Sequence, residues 1–216
     1  MSDFDPPGGI RGASGAQPKR DLRRNLIAAR RSMSEQNKKN QDSLVRRTLV
    51  TWLTEINATI VAAYVPMIGE PGGPELPSAL AHVVFTLLLP VVQPDRDLDW
   101  AAHDGRLAPA ALGLMEPVGP RLGLDAIATA SVVIVPALAV DRSGIRLGRG
   151  GGSYDRALAR VGAGQIVIAP LYDGELVATV PSESHDRRVD GVIIGGVVTM
   201  LSPGHGSGPA GRWAMQ

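Results

Sequence analysis

The chain has 216 residues, of which 44% are hydrophobic and 20% charged, and its formal net charge is +1. This balance suits one soluble domain with a sizeable core, and the small net charge predicts no general attraction to nucleic acid or to a membrane. The absence of cysteine excludes disulfides and thiolate chemistry. Because no apolar stretch has transmembrane length and the N-terminus lacks the apolar core of a signal peptide, we expect a cytoplasmic protein.

Both ends of the chain are rich in Gly, Pro and Ser. Residues 1–17 and 202–216 can bury little apolar surface, so we expect two mobile tails around a single domain at 18–201.

The domain is predicted to begin with a helix from Lys19 to about Arg31, introduced by Pro18. Lys19 and Arg23 lie one turn apart on this helix and therefore project together. A solvated basic face is the ordinary explanation of such a pair. One face of the helix is apolar and carries Leu22, Leu26, Ala29 and Met33.

A second helix is predicted to run to about Ile56. Either Ser32 or Ser34, with Glu35 nearby, is expected to cap its N-terminus. Its apolar residues keep the helical period and are assigned to the core: Val45, Leu49, Trp52, Leu53 and Ile56.

A buried strand is predicted at 59–65, because TIVAAYV is rich in apolar and β-branched residues and is too short for a helix. Glu70 lies in the loop that follows, which is where α/β sheets place ligand contacts. A solvated loop acid is the alternative interpretation of Glu70. The loop continues as Pro71-Gly72-Gly73.

The middle of the chain is predicted to hold a short helix at Glu75–His82 and a second buried strand at Val84–Val92. Residues 94–109 are predicted to form two short edge strands or a hairpin that turns at Asp104-Gly105. Trp100 within this segment is interpreted as a packing aromatic.

The segment 132–161 carries the strongest functional signal. An apolar strand at Val132–Val135 is followed by a glycine-rich loop, 141–152, and by a helix expected from Ser153 to about Val161. Glycines let backbone N–H groups approach a ligand closely, guanidinium groups suit phosphate, and a helix N-terminus adds partial positive charge. We therefore predict an anion site for a polyphosphate. The residues concerned are Gly148, Gly150, Gly151, Gly152, Arg142, Arg146, Arg149 and Arg156.

Two standard glycine motifs do not fit this loop. A Walker loop needs a lysine after its last glycine, whereas Gly152 is followed by Ser153. The dinucleotide-binding pattern needs a glycine where Ser153 stands. The alternative to an anion site is a Gly/Arg-rich surface turn without a ligand. In that interpretation Ser153 is the helix N-cap and Asp155 stabilises the first helical turn.

Beyond this segment, a strand is predicted at Gln165–Ala169 and a turn at Tyr172–Gly174, and Leu176–Val180 leads into the stretch 181–198. His185 beside Asp186 has the composition of a catalytic dyad, but no serine or cysteine nucleophile has supporting context, so His185 is interpreted as a surface residue. Strands that alternate with helices predict an α/β fold with a central, mostly parallel sheet flanked by helices.

The run VPALAVDRSGIRLGRGGGSYDRAL, residues 135–158, resembles the signature of the 5-formyltetrahydrofolate cyclo-ligase family, also called 5,10-methenyltetrahydrofolate synthetase. In that family the signature lines the ATP and folate site. One position differs, since Ser153 stands where the family has the first tyrosine of Tyr-Tyr-Asp. The resemblance extends from about Lys19 to Val197. It implies a monomeric, three-layer α/β enzyme that uses ATP and Mg²⁺ to convert 5-formyltetrahydrofolate to 5,10-methenyltetrahydrofolate.

The resemblance also implies roles for individual residues. Arg149 is expected nearest the transferred phosphoryl group. Asp155 and Asp186 are expected to hold Mg²⁺, with Asp190 as the alternative to Asp186. The ATP contacts are expected from Lys19, Arg23, Arg146, Gly148, Arg149, Gly150, Gly151, Gly152, Ser153 and Tyr154. The folate contacts are expected from Val65, Glu70, Glu116, Arg149, Gly150, Gly151, Gly152 and Ser153.

Two other functions remain open at this point. The first is a homologue that binds folate or nucleotide but does not turn it over. Ser153 is the feature that favours this interpretation. A sugar-phosphate or acyl-CoA enzyme on a similar α/β scaffold is the other, in which the arginine-rich loop would bind a phosphate.

Overall fold

A computed structural model describes residues 16–183 and 186–201 of the chain. The expected tails lie outside these residues, apart from Ala16 and Gln17, which open the first helix. The helices are α1 (Ala16–Ser32), α2 (Glu35–Glu55), α3 (Leu76–Ala81) and α4 (Ser153–Leu158), with 3₁₀ turns at Ala111–Gly113 and Leu124–Thr129. None of the helices in the described ranges is long and apolar enough to cross a lipid bilayer.

Seven strands form the main sheet, in the order β12-β11-β9-β6-β1-β2-β3. The five inner strands are parallel, and the two edge strands, β3 and β12, are antiparallel to their neighbours. The predicted mostly parallel central sheet is therefore confirmed. These strands are β1 (Ile60–Ala62), β2 (Thr86–Val92), β3 (Leu98–Ala102), β6 (Val132–Ile134), β9 (Ile166–Pro170), β11 (Gly191–Ile194) and β12 (Val197–Met200).

Two smaller sheets lie beside the main one. One has the order β10-β7-β8 and the other joins β4 to β5. Their strands are β4 (Leu107–Pro109), β5 (Met115–Pro117), β7 (Ala139–Asp141), β8 (Arg146–Leu147) and β10 (Leu176–Val177).

The main sheet is buried on both faces, which gives the three layers that the sequence predicts. Consecutive residues of β1 point to opposite faces, so Val61 belongs to one hydrophobic cluster and Ala62 to the other. Val45, Leu49 and Leu53 of α2 pack on the first face. The second face is covered by side chains of α4 and of the 3₁₀ turn at Leu124–Thr129.

The predicted N-cap of α2 is confirmed at Ser34, whose hydroxyl accepts a hydrogen bond from the Asn37 N–H at 3.2 Å. Ile56 was assigned to the core and this is wrong, because Ile56 is the C-cap and its side chain is 39% exposed. The helix ends one residue earlier, so the apolar stripe stops at Leu53.

Of the two alternatives predicted for 94–109, the structure has two short strands, β3 and β4, and not a hairpin. β3 instead pairs antiparallel with β2, which places Trp100 opposite Pro90, while β4 pairs with β5. The longer β2 offers five cross-strand partners and allows Trp100 to become fully buried, as predicted for a packing aromatic. Burial of this large side chain outweighs the local turn signal at Asp104-Gly105.

Candidate active site

A cavity of about 220 Å³ opens where the parallel strands β1 and β6 end. This is the edge at which α/β sheets bind ligands. Apart from the alternative metal ligand Asp190, its lining includes the residues for which the resemblance implies contacts with ATP, folate or metal: Lys19, Arg23, Val65, Glu70, Glu116, Arg146, Gly148, Arg149, Gly150, Gly151, Gly152, Ser153, Tyr154, Asp155 and Asp186.

The glycine loop follows β8 and is held against α1. The Arg23 Nε donates to the carbonyl oxygen of Gly148 at 2.9 Å. A Cβ at Gly148 would lie 2.8 Å from Arg146 Nη1, and Gly150 has a φ of +97° with the Arg23 guanidinium beside it. Side chains at either glycine would displace an arginine or strain the backbone, so the loop needs glycine at both positions.

The start of α4 differs from the prediction. Gly152, with a φ of +72°, is the N-cap, and Ser153 is the first helical residue, so Ser153 does not cap the helix. The helix also ends at Leu158 rather than near Val161. Six residues make a weak helix dipole, so the loop backbone and the arginines supply the positive potential here.

Two ion pairs each join a cationic residue expected to bind phosphate to a carboxylate expected to bind Mg²⁺. The Lys19 Nζ lies 2.6 Å from Asp186 Oδ2, and the Arg146 Nη2 lies 2.7 Å from Asp155 Oδ1. The Lys19 and Arg146 side chains are almost entirely buried. Arg146 also donates to the Pro136 carbonyl oxygen at 3.1 Å, which fixes its guanidinium on the cavity wall. The arrangement keeps two cations and two carboxylates together on one wall.

The structure brings Glu70 and Arg149 into contact. The Glu70 carboxylate is buried and accepts hydrogen bonds from Arg149 Nε at 2.8 Å and from the Met67 N–H at 3.0 Å. Arg149 remains 42% exposed. Burial, with a smaller contribution from the Glu70 charge, raises the pKa of the nearby Tyr154 hydroxyl, which therefore stays neutral at physiological pH.

The Pro71-Gly72-Gly73 loop after Glu70 is fixed from three directions. The Gly72 N–H donates to Asp42 Oδ1 at 2.9 Å, and Arg46 Nη1 donates to the Gly72 carbonyl oxygen at 2.7 Å. The Tyr64 hydroxyl donates to the Pro71 carbonyl oxygen at 2.6 Å. These bonds from α2 and from the end of β1 hold the backbone that presents Glu70.

Much of the remaining lining of the cavity is apolar. Glu116 stands at its edge, where its Oε1 accepts a hydrogen bond from the Val92 N–H at 2.9 Å and ties β5 to the end of β2. A flat ring system fits such a surface, with carboxylates at its rim to orient it. The apolar lining comprises Val65, Met67, Pro90, Val92, Leu98, Leu114, Met115, Pro136, Ala137 and Leu138.

Three residues singled out in the sequence do not reach the cavity. Arg142 is exposed, and Arg156 donates to the backbone carbonyl oxygens of Asp95 and Arg96. Asp190 accepts the Val167 N–H at 2.8 Å and supports the sheet instead of the site. His185 lies outside the described residues.

Sequence reasoning missed a buried ion pair behind the cavity. Arg30 Nε and Nη2 lie 2.6 Å and 2.8 Å from the two oxygens of Glu175. Arg30 also donates to the carbonyl oxygens of Ala137 and Gly69, and so it braces the cavity wall and the turn that carries Glu70. Arg30 is seven residues after Arg23, on the same helix face, and that spacing was the available signal.

Two carboxylates of the cavity, Asp155 and Asp186, are the candidate metal ligands. The described residues contain no cluster of three or more His, Cys, Asp or Glu able to hold one. Asp155 and Asp186 nevertheless open on one cavity, and Mg²⁺ is commonly bound by one or two carboxylates together with substrate phosphates. The pair therefore fits Mg²⁺ that binds jointly with a nucleotide.

Comparison with known proteins gives consistent matches. A 5-formyltetrahydrofolate cyclo-ligase of Mycolicibacterium smegmatis (strain ATCC 700084 / mc(2)155) is 41% identical over 183 residues, 81% of this chain and 92% of that protein. The NMR structure of Aquifex aeolicus 5,10-methenyltetrahydrofolate synthetase has a TM-score of 0.70 and 26% identity, covering 91% of this chain and 99% of its own.

A 5,10-methenyltetrahydrofolate synthetase from Mycoplasma pneumoniae has a TM-score of 0.65 and 20% identity, covering 82% of this chain and 96% of its own, and it supports the fold alone. The pattern that defines the 5-formyltetrahydrofolate cyclo-ligase family matches residues 15–195. The chain therefore belongs to the 5-formyltetrahydrofolate cyclo-ligase family.

Proposed function

We propose that this protein catalyses the ATP- and Mg²⁺-dependent conversion of 5-formyltetrahydrofolate to 5,10-methenyltetrahydrofolate. The observation that carries the proposal is one cavity whose lining combines an extensive apolar surface with the glycine–arginine loop. An apolar surface suits the ring system of a folate, and the loop suits the phosphates of a nucleotide. Family membership gives the reaction.

The chemistry needs activation of a formyl oxygen. In the proposed reaction, the γ-phosphoryl group moves from ATP to that oxygen, so the bond to ADP breaks and a P–O bond to the formyl group forms. N10 then attacks the formyl carbon, loses its proton, and phosphate departs with the oxygen. Such a transfer depends on positioning and charge neutralisation, so it requires no protein nucleophile. A chain without cysteine can therefore catalyse it.

The phosphate contacts are proposed for Lys19, Arg23, Arg146, Arg149 and the loop backbone from Gly148 to Tyr154. Support comes from the hydrogen bond of Arg23 to the Gly148 carbonyl, which joins a basic helix face to the loop. Arg149 is the most exposed of the ion-paired cations on the cavity, at 42%, and is proposed to neutralise charge on the transferred group.

Asp155 and Asp186 are proposed to hold Mg²⁺ together with the nucleotide. The ion would supply charge neutralisation at the phosphates. Both carboxylates already lie beside cations proposed for phosphate binding, which supports a shared site.

Glu70, Val65 and Glu116 are proposed as folate contacts. The Glu70 carboxylate is fixed by Arg149 and by the Met67 N–H, so its position is set before a ligand binds. This preorganisation favours one orientation of the substrate. A monomer in the cytoplasm is part of the proposal, and size-exclusion chromatography with light scattering tests the oligomeric state.

The assay for the proposal is formation of the methenyl chromophore from 5-formyltetrahydrofolate. We expect absorbance to rise with ATP and Mg²⁺ and to stay flat when ATP is omitted or when Mg²⁺ is chelated. A flat trace under all conditions, together with tight binding of folate or nucleotide, would favour a non-catalytic binder. Absence of both turnover and folate binding would leave the proposal without support.

A further inference from the structure

Asp42 of α2 contacts two loops at the same edge of the main sheet. One is the Pro71-Gly72-Gly73 loop, which follows Glu70 and β1, and the other follows β9. The Asp42 Oδ1 accepts a hydrogen bond from the Gly72 N–H at 2.9 Å and another from the Tyr172 hydroxyl at 2.9 Å. A single carboxylate oxygen therefore ties the loop of a proposed folate contact to a second loop of the sheet.

The contact depends on a close approach of the loop backbone to α2. A Cβ at Gly73 would lie 3.0 Å from Asp42 Oδ2. Arg46, one turn after Asp42, donates to the Gly72 carbonyl oxygen at 2.7 Å. Burial raises the pKa of the Asp42 carboxyl above its usual range, although the hydrogen bonds from Tyr172 and Gly72 act in the opposite direction. The carboxyl is therefore partly withdrawn from water, which makes its hydrogen bonds costly to lose.

These contacts close a ring of hydrogen bonds around the turn that carries Glu70. At one end of the turn, Arg30 donates to the Gly69 carbonyl oxygen at 3.4 Å. On the far side of the ring, the Tyr172 N–H donates to Glu175 Oε2 at 2.9 Å. The turn is thereby fixed on both sides of Glu70 before a ligand binds. In order, the ring comprises Gly69, Arg30, Glu175, Tyr172, Asp42 and Gly72.

Asp42 is not among the described residues that line the cavity, so it acts on a ligand only through the turn. The Glu70 carboxylate is held by Arg149 and by the Met67 N–H, and both bonds require the turn in its present position. A displacement of Gly72 would be transmitted to Glu70, two residues earlier. Contact groups that are already in place bind a ligand more tightly, because no freedom is lost in ordering them.

We propose that Asp42 is a positioning residue for the folate substrate, whose carboxylate holds the Glu70 turn, through Gly72, in the orientation that binds folate. This inference rests on the proposed function. Asp42 does not touch the substrate in this role. Its contribution is to the affinity for folate.

The proposed nucleotide contacts do not depend on Asp42. Lys19 and Arg146 are held by carboxylates on other segments of the chain, and neither ion pair includes the Glu70 turn. KM for ATP should therefore be insensitive to Asp42. A general loss of stability would not produce this selectivity between the two substrates.

Three variants of the full-length chain separate the hydrogen bonds of Asp42 from its charge. Asp42→Ala removes the acceptor of both bonds. Both donors address the same oxygen, so the side-chain carbonyl of Asp42→Asn can accept both and should restore binding. Tyr172→Phe removes one donor and keeps the ring, whose centre lies 5.3 Å from the Arg30 guanidinium. The control is Leu53→Val, which shortens a fully buried side chain three turns further along α2 and lowers stability away from both loops.

Hydrogen exchange followed by mass spectrometry measures the order of the turn, and steady-state kinetics measure its effect. In Asp42→Ala we expect faster exchange in peptides that cover residues 66–76. KM for 5-formyltetrahydrofolate should rise about tenfold, the change that one hydrogen bond to a charged group contributes. Its kcat and its KM for ATP should change less than about twofold, because bound folate restores the turn.

The other variants should follow the number of hydrogen bonds that remain. Asp42→Asn should stay close to the wild type in exchange and in KM, and Tyr172→Phe should raise KM for folate about threefold. Leu53→Val should lower the melting temperature and leave KM for folate unchanged. If Asp42→Ala does not fold, Tyr172→Phe carries the same test with a smaller effect.

Unchanged exchange or unchanged KM for folate in Asp42→Ala overturns the inference, and so does an equal rise in KM for ATP. An equal rise in KM in Asp42→Asn or in Leu53→Val also overturns it. If the wild type does not turn over folate, calorimetric titration with 5-formyltetrahydrofolate decides the matter separately. Weaker binding by Asp42→Ala that Asp42→Asn recovers supports the positioning role although the proposed function has failed. Equal affinities, or no binding by the wild type, overturn the positioning role.

Discussion

Arg149 contacts the Glu70 carboxylate and also lines the cavity. Its Nε is bound to Glu70, while 42% of the side chain remains open to solvent and to an incoming ligand. A guanidinium can hold one carboxylate and still present other N–H groups to a phosphoryl oxygen. This dual geometry distinguishes it from Arg146, whose side chain is 4% exposed and is bound to Asp155 and the Pro136 carbonyl oxygen.

Arg149→Ala is expected to lower kcat by about 10²–10³-fold, the usual effect of removing one preorganised charge-stabilising donor. Far-UV circular dichroism should not change, because the side chain lies in a loop. Arg142→Ala is the matched control, since Arg142 is an exposed arginine of the same segment outside the cavity. Equal turnover of the two variants would remove Arg149 from the mechanism.

Ser153 is the position at which the loop departs from the family signature. It lines the cavity, so a larger side chain there would enter the space offered to ligands. Gly152 caps the helix, so the N-cap role once assigned to Ser153 gives no reason to expect a lower melting temperature on substitution.

Ser153→Tyr is expected to lower a Michaelis constant by roughly three- to tenfold, since one aromatic contact contributes about 0.5–1.5 kcal/mol. Ser153→Ala is the control that removes the hydroxyl without adding a ring. Steady-state kinetics with ATP and with folate varied in turn identify the ligand whose Michaelis constant falls. An inactive wild type whose turnover is restored by the tyrosine would favour the binder interpretation.

At the scale of elements, the site depends on how α1 is attached to the sheet. The Arg30–Glu175 pair joins α1 to the loop before β10, and Glu175 also accepts the Tyr172 N–H at 2.9 Å. The Arg30 guanidinium lies 5.3 Å from the centre of the Tyr172 ring. The Arg30 contact therefore helps to position Lys19 and Arg23, which lie on the same helix.

Arg30→Met should destabilise the fold by about 3–5 kcal/mol, because it leaves the Glu175 carboxylate buried without its partner. Urea unfolding followed by circular dichroism measures this. The double variant Arg30→Met/Glu175→Gln should recover part of the loss, since no charge is then left unpaired. Arg24→Met, at an exposed position of α1, is the control. A loss below about 1 kcal/mol in Arg30→Met would contradict the bracing role.

A second pair attaches Arg160, two residues after the end of α4, to the edge of the sheet. Both oxygens of Asp97, next to β3, accept hydrogen bonds from Arg160, at 3.0 Å and 2.7 Å. The hydrogen bonds from Arg160 lower the pKa of the Asp97 carboxyl below its usual range. The unfolded chain therefore binds a proton more readily than the folded chain as pH falls.

The stabilisation from Asp97 is thus complete above the unfolded pKa, about 3.9, and is lost as pH falls through the folded pKa. Asp97→Asn should cost about 1–3 kcal/mol at pH 6. The difference in unfolding free energy between wild type and variant should shrink between pH 5 and about pH 2. A difference that stays constant over this range would show that the pair does not set the acid dependence.

At the scale of the whole molecule, local signals in the sequence predicted the helices, most strands of the main sheet and the glycine loop. These features depend on short-range periodicity and on residues that are close in the chain. The pairing of β3 with β2 was not predictable in this way, because burial of Trp100 is a property of the assembled sheet. Arg30 and Glu175 lie 145 positions apart, and Glu70 and Arg149 lie 79 apart. No periodicity specifies such partners.

The two expected tails should be dispensable for folding and for activity. The described layers run from α1 to β12, and Leu201 packs against the core cluster that contains Val192. A shortened protein of residues 16–201 should therefore keep the melting temperature and the kcat of the full chain, because the removed segments are poor in apolar residues that could dock. Thermal melting and methenyl formation measure both quantities.

Within the removed C-terminal segment, Trp213 is the residue with the largest apolar surface. The full-length variant Trp213→Ala is the matched control. A fall in melting temperature on truncation that Trp213→Ala reproduces would mean that this side chain packs on the domain. A fall that Trp213→Ala does not reproduce would assign the stabilising contact to another part of the tails. Either result would contradict the expectation that both tails are dispensable, and the first would extend the domain boundary past Leu201.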